Sequence, residues 1–271
     1  MGARSYMPVR WRCALRRLPI VGALSLICAA PYAQETGRYV SPWRTPWDYD
    51  GPRGAEHWSQ LDPEYAPCNE GREQSPVDIR DPQKANLPVL RFQPRDGSLD
   101  HVINNGHTIR VNYRRGNGNL LAFGDQRYEL TQFHFHHPAE ETIAGRSWPM
   151  EAHLMYATSD GKLAGVTVFV RPGRPNSTVE KLWKHMPASE GWNEVSGVTI
   201  SPGGLVPADP GSYYVYTGSV SAPPCTEGVT WFVLKEPIEL SQAQIDAFAK
   251  LYPNDARPIQ PLNGRVVRER R

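Results

Sequence analysis

Three histidines have the types and spacing of a metal site. His134 and His136 lie two residues apart, and His153 follows after a segment that contains a turn. Side chains two apart share one face of a β-strand, so His134 and His136 point to the same side. A returning antiparallel strand can bring His153 beside them. Three neutral imidazole nitrogens with a fourth position for water are typical of a catalytic zinc.

Two polar residues are placed to support these ligands. Gln132 is two residues before His134, and Glu151 is two residues before His153, so each shares the face of its histidine. An amide or carboxylate oxygen there can accept the other ring N–H and select the tautomer. His137 is not expected to be a ligand, because its side chain points to the opposite face.

The apolar pattern around the histidines predicts a mainly β protein. Short alternating segments predict strands at 126–131, 132–136, 152–157, 163–170, 212–218 and 229–234. Asn104-Asn105-Gly106 predicts a turn. Two short peripheral helices are expected to start at capping boxes, at Ser177 with Glu180 and at Ser241 with Gln244.

Residues 1–33 have the features of a secretory signal, with a basic start and an apolar run at 18–30 that is too short to span a bilayer. Met7 is an alternative start, and an uncleaved membrane anchor is the less favoured alternative. Removing this segment takes away five of 30 basic residues and none of 28 acidic ones, which leaves a formal charge of −3. With no basic stripe, no nucleic-acid partner is expected.

This organisation predicts a periplasmic or secreted protein without a membrane span after cleavage. We expect a linker or arm at 34–46, one domain at 47–265 and a basic tail at 266–271. Cys68 and Cys225 remain after cleavage, and an even pair in an exported protein predicts a disulfide. Two buried free thiols are the alternative.

Further motifs accompany the histidines along the chain. They are QSPVDI (74–79), NNGH (104–107), QFHFH (132–136), EAHL (151–154), GSVSAPPC (218–225), VTW (229–231) and RPIQPL (257–262). In this order and spacing they resemble the bacterial alpha-class carbonic anhydrases, from about Trp47 to Arg265. The resemblance implies a single domain with a large twisted, largely antiparallel central sheet, and a zinc site in a deep cleft.

The resemblance also implies a reaction, the reversible hydration of CO₂ to bicarbonate and a proton by zinc-bound hydroxide. His134, His136 and His153 match the zinc ligands, and His107 matches the proton shuttle. Ser221 and Glu140 match the hydroxyl and carboxylate that orient the hydroxide, although neighbouring Glu141 makes a one-residue shift possible. The expected partners are CO₂ and bicarbonate, with a homodimer as a possible assembly.

Several positions depart from the family pattern. Ser221-Ala222 replaces Thr-Thr, and Glu141 replaces a common His. By resemblance, Met155, Gly165, Val220 and Trp231 line the CO₂ pocket, where Gly165 and Val220 replace Val and Leu. We therefore expect a widened pocket, submaximal CO₂ hydration and comparatively good ester hydrolysis. A one-residue slip would put Val166 in the pocket instead of Gly165.

Two other functions are compatible with parts of the sequence. One is a carbonic-anhydrase-like zinc-binding protein with weak or no turnover, which the complete histidine set disfavours. The other is a copper/zinc superoxide dismutase, which is also β-rich and disulfide-bonded. Eight histidines permit that enzyme by number, but their spacing and the surrounding motifs do not fit it.

Overall fold

The computed structural model describes residues 45–99, 101–195 and 197–270, together with the backbone of Thr36–Gly37. The predicted signal and most of the predicted arm lie outside these residues. No helix in the described ranges has the length and apolar character needed to cross a membrane.

Strands form most of the regular structure. They are β1 Thr36–Gly37, β2 Asp78–Ile79, β3 Gln83–Lys84, β4 Arg91–Gln93, β5 Gly97–Ser98, β6 His101–Asn104, β7 Ile109–Asn112, β8 Leu120–Phe123, β9 Gln126–His136, β10 Thr142–Ile143, β11 Met150–Ala157, β12 Leu163–Pro172, β13 Gly191–Glu194, β14 Thr199–Ile200, β15 Tyr213–Ser219, β16 Glu227–Leu240 and β17 Arg268–Arg270. The α-helices are α1 Trp58–Leu61, α2 Pro67–Glu70, α3 Ser177–Trp183 and α4 Gln242–Ala249, and 3₁₀ turns lie at Gly51–Arg53, Pro63–Tyr65 and Pro202–Leu205.

Thirteen of the described strands form one sheet in the order β1-β13-β6-β7-β9-β11-β12-β16-β15-β17-β3, with β8 on β9 and β4 on β8. The β12–β16 and β17–β3 pairs are parallel, and the other pairs of this sheet are antiparallel. The predicted fold class, a large, largely antiparallel sheet with a few short helices, is confirmed.

The sheet separates two apolar clusters. Phe133, Phe135 and Leu154 pack on one face, under Val179 of α3 and Phe248 of α4. The opposite face carries a smaller cluster with Val77, Trp148, Phe169 and Trp231. Because neighbouring residues of a strand point to opposite faces, burying the phenylalanines of β9 places His134 and His136 on the side of the smaller cluster.

One long strand replaces the two predicted at 126–131 and 132–136. The pairing of β9 with β11 shifts register, so that Met155 pairs with Gln132 and Tyr156 with Leu130. Thr131 is the extra residue of this bulge, and its hydroxyl donates to the carbonyl of Met155 at 2.9 Å. The bulge changes the alternation from Tyr128 and Leu130 to Phe133 and Phe135, which explains why the pattern looked like two strands.

The turn and one helix start agree with the sequence, and the other helix start does not. Asn105 Oδ1 accepts from the backbone N–H of His107 and Thr108, between β6 and β7. Ser241 and Gln244 form the predicted capping box of α4. For α3, however, Asn176 is the N-cap, since its extended backbone lets its side chain accept from two backbone N–H groups.

Part of the segment predicted as a basic tail forms a strand of the sheet. Arg268–Arg270, within the segment 266–271 predicted to lie beyond the domain, is β17 and pairs with both β15 and β3. The Arg270 side chain donates to the carbonyl of Leu87 at 2.9 Å. Tyr213, Tyr214 and Val215 pair with β17, so the basic residues complete the sheet instead of leaving it.

Candidate active site

Two neighbouring strands bring the three predicted ligands together. His134 and His136 lie at the end of β9, and His153 of β11 pairs directly with His134. The ring centroids are 4.9 Å apart for His134 and His136, 5.2 Å for His134 and His153, and 4.8 Å for His136 and His153. One ring nitrogen from each of the three lies within 4.8 Å of the others.

The outward nitrogens of these rings have acceptors. His134 Nδ1 donates to Gln132 Oε1 at 2.8 Å, and His136 Nδ1 donates to the backbone carbonyl of Asp255 at 2.7 Å. Since oxygen acceptors hold these hydrogens on Nδ1, the Nε2 atom of each ring keeps its lone pair. The His153 ring has the opposite orientation. Its outward nitrogen is Nε2, which lies 2.9 Å from Glu151 Oε1.

The inward nitrogens have the character of metal ligands. Among the described residues, His136 Nε2 and His153 Nδ1 are buried without a hydrogen-bond partner. Buried polar atoms are nearly always paired, so orphaned nitrogens that face one another indicate a missing partner. Three imidazoles in this arrangement fit a Zn²⁺ ion with an open position.

The protonation tendencies agree with a cation at this point. Burial, with the neighbouring rings, lowers the pKa of His134 and His136 well below the usual value, which favours the neutral form that binds metal. Burial would also lower the pKa of His153, but Glu151 and Glu141 more than offset it and raise that pKa. A dication on Nδ1 would satisfy the same carboxylate charges in place of a proton.

A carboxylate and a hydroxyl flank the three rings. Glu140 is buried, and its Oε1 accepts from the backbone N–H of Arg257 at 2.8 Å. Its Oε2 is 3.5 Å from His136 Nε2 and 3.9 Å from His153 Nδ1. Burial raises the pKa of Glu140 to about 7, and a hydrogen bond from Ser221 is among the causes that lower it. Ser221 lines the same cavity as His134, His136 and His153.

The disulfide anchors the loop that carries Ser221. Cys68 and Cys225 are bonded, which confirms the predicted pairing. Cys225 lies four residues beyond Ser221, and its N–H donates to the carbonyl of Ala222 at 2.9 Å. Arg257 donates to the carbonyls of Cys68 and Ser75, so it connects the same region to Glu140.

A cavity of about 260 Å³ opens above the histidines. Its apolar lining includes the predicted Met155, Val220 and Trp231, together with Leu163, which the sequence did not indicate. Trp231 lies 4.7 Å from the ring of His153, and its Nε1 donates to the carbonyl of Ser219 at 2.9 Å.

The expectation of a pocket widened by Gly165 is wrong. Gly165 pairs with Trp231 across β12 and β16, and a Cβ at Gly165 would lie 2.5 Å from the indole ring. The indole therefore fills the space that a larger residue would take, and Gly165 is not part of the cavity wall. The alternative Val166 is fully buried on the other face, in the larger core.

His107 also borders the cavity, but it is more restrained than a solvated turn histidine. Its ring stacks on Trp47 at 3.7 Å, and its Nε2 donates to the Trp47 carbonyl at 2.8 Å. Burial lowers the pKa of His107, against the ordinary value expected from the sequence.

Some contacts of the site escaped the sequence reasoning. Asp255 lies in a coil far along the chain, where its N–H donates to the His137 carbonyl and its Oδ1 accepts from His137 N. This pairing places the backbone carbonyl of Asp255 beside His136. Glu141 also lies near the site, with Oε2 3.4 Å from His153 Nε2. The sequence did indicate Glu141, as a second carboxylate next to Glu140.

Comparisons with known proteins agree with this geometry. The family described as "Eukaryotic-type carbonic anhydrase" matches residues 53–271. A carbonic anhydrase of Nostoc sp. is 38% identical over 82% of this chain and 85% of its own. The alpha-carbonic anhydrase of Thermovibrio ammonificans, solved with the inhibitor sulfanilamide, is 40% identical with a TM-score of 0.78, covering 82% of this chain and 98% of its own. A dioscorin complexed with ascorbate is 31% identical with a TM-score of 0.74, covering 83% and 98%. The chain belongs to the alpha carbonic anhydrase family.

Proposed function

We propose that the protein is a zinc enzyme that catalyses the reversible hydration of CO₂ to bicarbonate and a proton. The observation that carries the proposal is the pair of orphaned buried nitrogens on His136 and His153, which face His134 while the opposite ring nitrogens are engaged. Zinc held there would lower the pKa of a water to about 7 and supply hydroxide at neutral pH.

Ser221 and Glu140 orient the attacking oxygen in this proposal. The Ser221 hydroxyl donates its hydrogen to the Glu140 carboxylate, which Arg257 N holds at 2.8 Å. The serine oxygen then has only lone pairs to offer, so it accepts a hydrogen bond from the attacking group. That leaves a lone pair of the nucleophile directed at the carbon of CO₂.

The apolar wall holds the other reactant. CO₂ has no hydrogen-bond donor, and the side chains of Met155, Val220, Leu163 and Trp231 offer a surface that water binds weakly. Because the Trp231 indole lies over Gly165, this wall leaves less space for the substrate than the sequence suggested.

His107 is proposed to carry the released proton out of the cleft. Its Nε2 hydrogen is donated to Trp47, which leaves Nδ1 as the atom that would take up a proton. Because burial lowers its pKa, it would pass that proton on readily but accept it less readily than a solvated imidazole.

Export is part of the proposal. The disulfide is consistent with an oxidising compartment, and residues 1–33 have the composition of a signal, with the mature chain starting at Gln34. Mass analysis of periplasmic protein tests the cleavage site. The proposed mature protein takes CO₂ and bicarbonate as partners, with a homodimer as a possible assembly and no nucleic acid.

A zinc-binding protein with weak turnover is the second candidate. It is favoured by Ala222, which removes a hydroxyl expected at the cleft. Stopped-flow CO₂ hydration by zinc-loaded protein separates the two. Hydration above the buffer rate that is lost with a chelator and restored by zinc supports the enzyme, whereas stoichiometric zinc without such a rate supports the second candidate.

A further inference from the structure

Among the described residues that line the cavity, Arg110 is the only one whose side chain carries a permanent charge. Its neighbours Ile109 and Val111 are buried in the larger apolar cluster, so the alternation of β7 directs Arg110 to the opposite face of the sheet. Arg110 also pairs directly with His134 of β9, and side chains opposite one another on adjacent strands lie close together. The cation is therefore part of the cavity wall next to one of the proposed zinc ligands.

This charge lies in a cavity whose two sides differ in polarity. The order of the sheet places β7 and β9 on one side of β11, and β12 and β16 on the other. The β12–β16 side carries the apolar wall with Trp231, whereas polar side chains accompany Arg110, namely Asn105, Thr108 and Gln132. The carboxylates near the histidines lie outside the cavity lining; they are Glu140, Glu141 and Glu151. Because a cleft with apolar walls focuses the field of a charge, this cation acts on whatever enters the cavity.

We propose that Arg110 determines the specificity of the cavity for small carboxylate-shaped anions, bicarbonate among them. Its guanidinium offers five N–H donors in a planar fork and no acceptor, which matches two oxygens of such an anion. CO₂ is neutral and gains little from the charge. This inference rests on the proposed function and adds to it the residue that binds the charged product, while the apolar wall receives the neutral reactant.

The expected effect is on inhibition by anions. R110Q removes the charge but keeps a polar side chain. It should raise the inhibition constants of bicarbonate and formate by roughly 3–30-fold, as Coulomb's law gives for two unit charges in a partly solvated cleft. R110K keeps the charge without the planar fork, so it should fall between R110Q and the wild type. The KM for CO₂ should change less than either inhibition constant, because CO₂ carries no charge.

The experiment is stopped-flow CO₂ hydration by the full folded protein at one pH and one ionic strength, with bicarbonate or formate added. Titration of the Co²⁺-substituted form with formate, followed by its visible spectrum, measures anion affinity without turnover. R127Q is the matched control, because Arg127 lies on β9 like His134 but is exposed and outside the cavity lining. R127Q removes the same charge from the molecule and should bind these anions like the wild type.

The outcomes separate this inference from the proposed function. A wild type without zinc removes the proposed function, and this inference with it. A zinc-bound wild type that does not bind formate, or an anion affinity unchanged in R110Q, overturns the inference alone. Equal weakening in R127Q or R110K also overturns it, as does a rise in the KM for CO₂ that matches the rise in the inhibition constants. If R110Q does not fold, R110M, which is neutral and of similar length, takes its place.

Discussion

At the scale of single residues, the environment of His107 makes its protonation unfavourable in the folded state. The ring is buried against Trp47, and its pKa is lowered from the ordinary value. The unfolded chain takes up a proton near pH 6.5, whereas the folded protein resists it to lower pH. The unfolded state then binds more protons, so this residue's contribution to stability is present above about pH 6.5 and is lost as the pH falls through the folded pKa.

H107Q tests this sign. At about pH 8 the variant should be less stable than the wild type by about 0.5–1.5 kcal/mol, the range for an aromatic pair. On acidification to about pH 5 the difference should narrow, because only the wild type must protonate this ring. Urea denaturation at several pH values measures it. A difference that does not change with pH would show that the His107 pKa is not lowered.

The proposed shuttle gives a second test at the same residue. H107A should slow CO₂ hydration in weak buffer, and imidazole buffer should restore the rate, because a shuttle matters only when nothing else carries the proton. H101A is a suitable control, since His101 pairs with Glu194 at the other end of β6, away from the cavity. Equal slowing of H107A in every buffer would make His107 a structural residue.

At the scale of elements, the β12–β16 contact decides what Gly165 does. The Trp231 indole lies where a Gly165 side chain would start, and it also touches His153. G165V should therefore displace the indole and lower the free energy of unfolding by about 1–3 kcal/mol, as overpacking typically does. CO₂ hydration should fall as well. Chemical denaturation and stopped-flow rates measure the two effects.

A small substitution at an open glycine provides the comparison. A Cβ at Gly97 would meet no atom within 4 Å, and its backbone is not in the left-handed region. G97A should change stability by less than about 0.5 kcal/mol. If G165V were as stable as G97A, Trp231 would have to move freely. The pocket widened at Gly165, as predicted from the sequence, would then again be a valid expectation.

The strands that carry the ligands were predictable because the signal is local. A period of two places His134, His136 and Gln132 on one face without knowledge of any other strand. Contacts made by distant residues had no such signal. Asp255 reaches His136 through a coil, and Trp231 reaches Gly165 through a parallel pairing. The sequence did not identify the N-cap of α3, because the adjacent residues Asn176 and Ser177 are both suitable caps. In the structure the N-cap is Asn176.

At the scale of the whole molecule, one disulfide connects the segment around Cys68 to the loop that carries Ser221. Cys68 and Cys225 are separated by 157 residues, and the chain-entropy model gives roughly 5 kcal/mol for closing a loop of that size. Reduction should lower the free energy of unfolding by about 2–5 kcal/mol. The C68A/C225A variant should show the same loss and no further response to reductant. Two free thiols in periplasmically expressed protein would contradict this.

The most direct test of the central claim is the zinc content of three proteins by elemental analysis. The wild type should hold one zinc per chain, and H134A should hold little and lose CO₂ hydration, because two histidines cannot complete the site. H137A is the matched control, since the adjacent His137 ring contacts the Pro253 carbonyl instead, and it should retain its zinc. A wild type without zinc, or H134A with a full equivalent and full activity, would contradict the assignment.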